Sequence, residues 1–309
     1  MVKEQLTFKD YKGNLIQAYK WMPDSNIRAI IQIAHGMAEH AERYEDFAEI
    51  LVDNGYGVYI NDHEGHGKTA VCQEELGHFT ENGFNNCVEN LFLLTQIIKH
   101  DNPGIPVILL GHSMGSHLAQ GYITRFGTEI GGCILSGSSG KSMLYKLASI
   151  VSSAVVKIQG TNTRSSFMNS LVFGMFNRGF KQSRTDFDWL SRDEEEVDIY
   201  VNDPLCGFIC TAGFYYEYFK ELASLHNNAR IKNIPHDLPV YIFSGEKDPV
   251  GGYVKGVMKL IKMYKKSGIN NIQYKLYPEG RHVMLKETNR DEVINDILKW
   301  LEGTVLKSQ

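Results

Sequence analysis

Short hydrophobic runs alternate along this chain with longer segments that have the periodicity of amphipathic helices. The runs are rich in Ile and Val and nearly continuous, which is typical of strands buried on both faces of a parallel sheet. Six such runs are predicted strands: 28–34, 57–60, 107–110, 132–135, 239–243 and 272–277. The predicted helices among them are 44–54, 84–100, 116–126, 253–267 and 290–302. The alternation favours a doubly wound α/β fold, with a mostly parallel central sheet and helices on both faces.

The alternation stops between about residues 140 and 235, where no strong strand pattern occurs. Apolar residues recur there at helical spacing from Met143 to Ile158, and the segment 167–180 and the aromatic cluster 214–219 follow. We predict a helical lid over the ligand-binding crevice at the carboxyl edge of the sheet. The predicted domains are a core of residues 1–139 and 236–309 and a lid of residues 140–235.

Composition and charge exclude several classes of protein. The 309 residues are 43% hydrophobic and 22% charged, which is ordinary for a globular chain. The net charge is −4 and no basic cluster exceeds Lys265-Lys266, which argues against a nucleic-acid partner. No run of eighteen apolar residues predicts a membrane span, and the first five residues lack the apolar core of a signal peptide. We therefore expect a cytoplasmic protein.

The five cysteines do not form a recognisable disulfide or metal pattern. They are odd in number and scattered, which favours reduced thiols that serve in packing. Cys206 and Cys210 have the spacing of one helical face, but no second pair completes a zinc site.

The segment Gly111-His112-Ser113-Met114-Gly115 carries the most specific motif. It lies between a predicted strand and a predicted helix, where Gly-x-Ser-x-Gly forms the nucleophile elbow. The serine occupies a strained turn, and the flanking glycines let the strand and the helix pass close to it. We predict that Ser113 is a catalytic nucleophile.

A serine nucleophile needs a base to remove its proton and an acid to orient that base. The expected chain order is Ser, then Asp or Glu, then His. Asp248 follows the predicted strand 239–243 and precedes a proline, with Glu246 as a rival on the same loop. His282 is the only histidine after Asp248. The predicted triad is Ser113, Asp248 and His282.

Two backbone N–H groups are needed to bind the oxyanion that forms on the substrate. One belongs to the residue after the nucleophile, Met114, and the other to a loop after an early strand. The segment His35-Gly36-Met37 follows such a strand, so the second N–H is assigned to Met37.

The loop 61–69 invites two further interpretations. His63, Glu64 and His66 have types and a spacing that could ligate zinc. Gly67-Lys68-Thr69 imitates the end of a phosphate loop, but Asp62 stands where that motif needs its first glycine. We expect a loop that braces the site by hydrogen bonds, and predict no metal and no cofactor.

Together these segments resemble the monoacylglycerol lipase and lysophospholipase-like branch of the α/β-hydrolases. The resemblance covers nearly the whole chain. It is carried by residues 35–40 with 43–44, 62–67, 111–116, 248–249, 282, and in the lid 191–193, 197–200 and 202–205. It implies an α/β-hydrolase fold and cofactor-independent hydrolysis of a carboxylic ester of a single-chain lipid. Glu64 departs from the pattern, since many relatives have arginine there.

The predicted function is a serine esterase or lipase that cleaves monoacylglycerols or lysophospholipids through an acyl-enzyme. Its partner is then a small ester or lipid, and the lid stripe 143–158 contacts a membrane or micelle surface. One alternative is a carboxylesterase for short-chain or aromatic, cinnamoyl-type esters. Others are a peptidase or amidase, whose amine-binding carboxylates could be residues 193–196, and a binding protein without turnover.

Overall fold

The computed structural model describes residues 2–24, 26–180 and 183–305 of the protein. An eight-stranded sheet with the order β1-β2-β4-β3-β5-β6-β7-β8 lies at its centre. The strands are Val2–Lys9 (β1), Leu15–Met22 (β2), Ala29–Ala34 (β3), Tyr56–Asn61 (β4), Val107–His112 (β5), Gly132–Ser136 (β6), Val240–Gly245 (β7) and Ile272–Tyr277 (β8). Strands β1 and β2 form an antiparallel hairpin, and β2 pairs with β4 in antiparallel register. The other five pairs are parallel.

Ten α-helices follow or connect these strands within the described residues. They are Glu45–Asp53 (α1), Gly83–Asp101 (α2), Met114–Phe126 (α3), Met143–Gln159 (α4), Ser166–Phe173 (α5), Glu194–Asn202 (α6), Ala212–Leu225 (α7), Asn228–Ile231 (α8), Lys255–Lys266 (α9) and Arg290–Val305 (α10). The mostly parallel sheet with its helices confirms the predicted α/β-hydrolase fold.

The period-2 alternation of the buried strands separates two hydrophobic layers. In β5, Val107 and Leu109 pack in the layer that contains residues of α2, α3, α7 and α9. Ile108 and Leu110 point to the opposite face, in the layer that contains residues of α1 and α10. Because both faces of β5 are covered, its apolar run is continuous, as the sequence analysis assumed.

The element ends differ from the predicted ones by one to a few residues. Helix α3 begins at Met114, two residues earlier than predicted, because the turn at Ser113 leads directly into the helix. The predicted helical stretch 167–180 is divided, since α5 ends at Phe173 and a short 3-10 turn covers 176–179. Cys206 and Cys210 lie between α6 and α7, so they do not share a helical face.

The chain between β6 and β7 contains α4 to α8 and, within its described residues, adds no strand to the sheet. We call residues 140–235 the helical segment. Its helix α7 belongs to the same hydrophobic layer as α2 and α3. The domain boundaries proposed for this segment remain a prediction. No helix in the described part of the chain is both long and apolar enough to span a bilayer.

The buried histidines make stability depend on pH. Burial lowers the pKa of His35, His112 and His226 to about 4 and of His66 and His117 to about 3. Below the ordinary histidine value of about 6.5, the unfolded chain binds protons that the native state rejects. The free energy of unfolding therefore falls as the pH drops from about 6.5 towards 4, by up to about 1.4 kcal/mol per pH unit for each histidine.

We expect the urea concentration at the unfolding midpoint to be clearly lower at about pH 5 than at about pH 7.5. In His117→Gln this pH dependence should be smaller, because one buried titrating group is lost. The matched control is His100→Gln, since the His100 side chain is 88% exposed. Equal midpoints at the two pH values would contradict this account.

Candidate active site

Ser113 occupies a strained turn between β5 and α3. Its φ is +53° and its ψ −118°, in a region that residues with side chains rarely adopt. A Cβ at Gly115 would overlap the carbonyl oxygen of Ala34, and one at Gly111 would overlap that of Gly115. The Ser113 N–H donates to the Ser136 carbonyl across the sheet at 2.9 Å. The glycines of the motif therefore permit the close approach that the elbow requires, as predicted from the sequence.

The predicted acid and base lie together at the carboxyl ends of β7 and β8. Nδ1 of His282 is 3.0 Å from Oδ2 of Asp248, and both side chains are buried. At this distance the Asp248 carboxylate can accept a proton of the imidazole ring, and catalytic hydrogen bonds commonly tighten only when substrate binds. The rival Glu246 is exposed to solvent. The structure thus brings Asp248, and not Glu246, to His282.

The surroundings of Asp248 keep its carboxylate charged. Oδ1 accepts the Val250 N–H at 2.8 Å, and Oδ2 accepts the Ser244 hydroxyl at 3.1 Å. Burial by itself would raise the pKa of Asp248, but the neighbouring His282 and these hydrogen bonds outweigh it and lower the pKa. A charged Asp248 can orient the imidazole and stabilise the imidazolium form of His282.

His282 is held by close packing as well as by its acid. Its ring centroid lies 5.1 Å from that of Trp189 and 4.8 Å from that of His112. Gly137, with φ +56°, faces the ring edge, and a Cβ there would lie 2.8 Å from His282 Cε1. His282 and Ser113 line the same cavity of about 310 Å³. Ser113 and His282 therefore face one cavity, and Asp248 contacts His282.

Met37 and Met114, the predicted oxyanion donors, flank Ser113. Within the described residues, neither backbone N–H donates to another protein group. Met37, Met114 and Ser113 all line a second cavity, of about 540 Å³. Both N–H groups thus remain available beside the hydroxyl that the sequence predicts to be the nucleophile.

The loop that carries Met37 is held by a carboxylate that the sequence analysis did not single out. Glu39 accepts the Gly36 N–H at 2.5 Å and the Tyr44 hydroxyl at 2.9 Å, and it pairs with Arg43 at 3.3 Å. Burial opposes its ionisation, but the charges of His112 and Arg43 prevail and hold its pKa at about 2. The Glu-x-x-x-Arg spacing was visible in the sequence, but nothing in it indicated that the carboxylate turns back to Gly36.

The helical segment also holds this loop. The Ala38 carbonyl accepts the Tyr200 hydroxyl and the Gly207 N–H, both at 2.9 Å. Ala38 has a φ of +54°, and the Arg43 guanidinium lies 4.9 Å from the centre of the Tyr200 ring. The helical segment therefore contributes directly to the backbone geometry next to Met37.

The loop 61–69 braces the site, as expected. Asp62 accepts the backbone N–H groups of Ala41 and Lys68, each at 2.8 Å. Glu64 accepts the Thr80 N–H at 2.5 Å, and among the described residues its ligand atoms do not cluster with those of His63 and His66. Asp62 thus joins the loop after β4 to Ala41 by a hydrogen bond, and Glu64 anchors the chain at Thr80.

One group of possible metal ligands occurs elsewhere in the described chain. Ligand atoms of His40, Asp203 and Cys206 lie within 4.8 Å of one another. Their closeness has a simpler cause, since His40 Nε2 and Asp203 Oδ2 are hydrogen-bonded at 2.8 Å. The Asp203 carboxylate also accepts the Leu205 N–H at 2.8 Å. We interpret this cluster as a junction between the Met37 loop and the helical segment.

The two cavities that meet at Ser113 differ in chemistry. The smaller one is the more polar of the two, since Glu39, Arg43, Asn169, Asn177 and Asp186 line it together with aromatic side chains such as those of Phe187 and Trp189. The larger one is lined mainly by aliphatic and aromatic side chains. They include Leu144, Leu147, Ala148, Val151, Leu171, Val172, Phe173, Phe176, Phe219 and Leu222. The site can therefore hold a molecule with one polar and one apolar part, with Ser113 between them.

Comparison with known proteins agrees with this arrangement. Residues 25–289 match the family described as "Serine aminopeptidase, S33". The chain belongs to this family of α/β-hydrolases. The chain is similar to monoacylglycerol lipase of Mycolicibacterium smegmatis, with 29% identity over 91% of this chain and 90% of that protein. It is also similar to human monoglyceride lipase, with 28% identity over 94% of this chain and 87% of that protein.

Solved structures of similar proteins show the same fold. A highly thermostable carboxyl esterase from Bacillus coagulans, in complex with glycerol, superposes with a TM-score of 0.91 at 28% identity, covering 99% of both chains. A monoglyceride lipase from Saccharomyces cerevisiae superposes with a TM-score of 0.75 over 98% of this chain at 21% identity, and that match bears on the fold alone. The chain is therefore a hydrolase of the esterase and lipase type.

The predicted roles in the triad can be tested by covalent labelling. A fluorophosphonate should label the wild-type protein at one site, and Ser113→Ala should abolish the labelling. Asp248→Asn should reduce ester hydrolysis by about 10⁴-fold, because His282 loses the group that orients it.

The matched control for labelling is Ser267→Ala, which removes a hydroxyl at the end of α9, away from Ser113. Undiminished labelling of Ser113→Ala would refute the assignment of the nucleophile.

Proposed function

We propose that the protein is a serine esterase that hydrolyses monoacylglycerols through an acyl-enzyme. The observation that carries the proposal is the meeting of an apolar cavity of about 540 Å³ and a polar cavity of about 310 Å³ at Ser113. A single-chain ester has the same division, with an acyl chain on one side of the carbonyl and an alcohol on the other.

In the proposed reaction, the Ser113 hydroxyl attacks the ester carbonyl carbon while His282 takes its proton. The oxyanion is bound by the N–H groups of Met37 and Met114. The ester C–O bond then breaks, and His282 returns the proton to the departing alcohol. Water attacks the acyl-enzyme with His282 again as the base, which releases the acid and restores Ser113. Asp248 orients His282 in both halves of the reaction.

The polar cavity favours an uncharged polyol over a phosphate headgroup. Among the described residues that line it, Arg43 is the only Lys or Arg, and it is already paired with Glu39 at 3.3 Å. Asp186 adds an exposed carboxylate to the same cavity. A phosphate would meet the Asp186 carboxylate and a guanidinium already paired with Glu39, whereas a glycerol hydroxyl can donate to the Asp186 carboxylate. This favours monoacylglycerols over lysophospholipids.

The acidic run 193–196 gives little support to a peptidase that binds a free amine. Asp193 caps α6 by accepting the N–H groups of Glu195 and Glu196. Glu196 faces Lys286 and Arg290 at 3.6 and 3.7 Å. None of these residues is among those that line the two cavities at Ser113.

We further propose that residues 140–235 act as a lid whose apolar face contacts a membrane or micelle. Helices α4 and α5 and the turn that follows α5 expose apolar side chains, of which Leu144, Leu147 and Leu171 line the apolar cavity. The most exposed include Met143, Leu144, Leu147, Ile150, Ile158, Phe167, Leu171 and Met175. Such a face costs free energy in water and is typical of a contact surface.

A substrate panel tests the proposed specificity. With monoacylglycerols and p-nitrophenyl esters, kcat/KM should rise with acyl length by up to about fourfold per methylene, as each buried CH₂ contributes about 0.8 kcal/mol. Monoacylglycerols should exceed lysophospholipids of equal chain length by about tenfold or more. A preference for chains of about two to four carbons, or for cinnamoyl esters or aminoacyl arylamides, would refute the proposal.

A larger side chain on α4 that narrows the apolar cavity tests whether the acyl chain binds there. Ala148→Phe places a large side chain in this cavity, because Ala148 is half-buried and lines it. Long-chain esters should lose about tenfold or more in kcat/KM, while a butyrate ester is little affected. Ala154→Phe is the matched control, since Ala154 is exposed on the same helix. Equal losses for both chain lengths would place the acyl chain elsewhere.

A further inference from the structure

Basic and acidic residues are strongly separated along this chain. Residues 130–185 contain seven Lys or Arg and no Asp or Glu. Residues 249–278 contain six Lys and again no Asp or Glu. The chain as a whole has a net charge of −4. The two acid-free stretches include α4, α5 and α9, which surround the apolar cavity.

Helix α9 belongs to the core rather than to the helical segment, and it presents a row of lysines. Its buried face consists of Val257, Leu260, Ile261 and Tyr264. Lys255, Lys259, Lys262 and Lys266 recur at spacings of four, three and four, so they share one exposed helix face.

Three lysines reach the mouth of the apolar cavity. Lys255 and Lys259 of α9 line it, and so does Lys141, which precedes α4. The Gly140 N–H donates to the Gly256 carbonyl at 3.0 Å, so α9 is joined directly to the entry of α4. We define the basic collar as Lys141, Lys146, Lys255, Lys259, Lys262 and Lys266.

The lysines of the basic collar form no ion pair, and neither do Lys9, Lys12 and Lys299 elsewhere on the described surface. In the described parts of the chain, no Asp or Glu lies within ion-pair distance of any of them. By contrast, Lys3, Lys275 and Lys286 each pair with a carboxylate at 2.6 to 2.8 Å. The collar charges are therefore not neutralised within the protein and remain available to an external anion.

We propose that the basic collar docks the protein onto a bilayer that contains anionic lipids, with the mouth of the apolar cavity facing the membrane. This proposal rests on the proposed contact between the lid and a membrane. It adds that the lysines of α9 select membranes that contain anionic lipids. Lysines at the rim meet lipid phosphates and carboxylates, while the exposed side chains of α4 and α5 reach the acyl boundary. A second copy of this chain would present the same positive charge to the collar, which disfavours self-association through this face.

Flotation with vesicles of two compositions tests the proposal. Ser113→Ala protein is used, so that binding is measured without turnover and does not depend on the esterase proposal. It should bind vesicles with about 30 mol% phosphatidylserine in phosphatidylcholine much more tightly than pure phosphatidylcholine vesicles. The difference should vanish in about 0.5 M NaCl, where such charges are screened.

A variant of the basic collar and a charge-matched control variant test whether the collar lysines cause the binding to anionic vesicles. Lys146→Glu, Lys262→Glu and Lys266→Glu together should weaken binding to the anionic vesicles by about 100-fold or more, because each lysine contributes about fivefold and the three factors multiply. None of the three lines the cavities at Ser113. Lys9→Glu, Lys12→Glu and Lys299→Glu together change the net charge equally and should bind like the parent. With Ser113 restored, both variants should hydrolyse water-soluble p-nitrophenyl butyrate normally.

Three results would overturn the proposal. They are equal binding to both vesicle types, an equal loss in the control variant, and binding to soluble polyglutamate but not to vesicles. The last result would indicate an acidic protein partner. If the wild-type protein does not hydrolyse p-nitrophenyl butyrate, the esterase proposal is refuted, but the result on membrane docking still stands.

Discussion

The strained turn at Ser113 is the constraint on which the site depends. A residue with φ near +53° persists only where its surroundings leave no alternative. Here β5 and α3 approach so closely that Gly111 and Gly115 have no room for a Cβ, and the Ser113 N–H is bonded to β6. Because the turn is a single residue, α3 begins at Met114 and leaves that N–H unpaired beside the serine hydroxyl.

The loop that carries Met37 forms the other side of the site, and two separate parts of the chain hold it. Glu39 fixes Gly36 from within the core, and Tyr200 and Gly207 fix Ala38 from the helical segment. Any displacement of the helical segment would therefore change the loop that carries Met37. If the helical segment acts as the proposed lid, these two hydrogen bonds to the Ala38 carbonyl would couple its movement to the proposed oxyanion site.

Charged, apolar and polar surfaces follow one another around Ser113 in an order that matches the parts of the proposed lipid ester. The basic collar and the apolar face of α4 and α5 lie around the apolar cavity, and Ser113 lies where that cavity joins the polar one. The carboxylates of Glu39 and Asp186 are on the far side, in the polar cavity. In the proposed binding mode the acyl chain lies in the apolar cavity, the ester lies at Ser113 and the alcohol lies in the smaller cavity with Asp186.

Local sequence determined the order of strands and helices, the elbow at Ser113 and the positions of Asp248 and His282. These follow from hydrophobic period, glycine spacing and the rule that carboxyl ends of parallel strands share one edge. Only the tertiary structure decided that Asp248 rather than Glu246 reaches His282, and that Tyr200 holds Ala38 across 162 residues. It also decided that α9 joins α4 in one basic collar. Such contacts depend on how distant segments pack, which no local periodicity encodes.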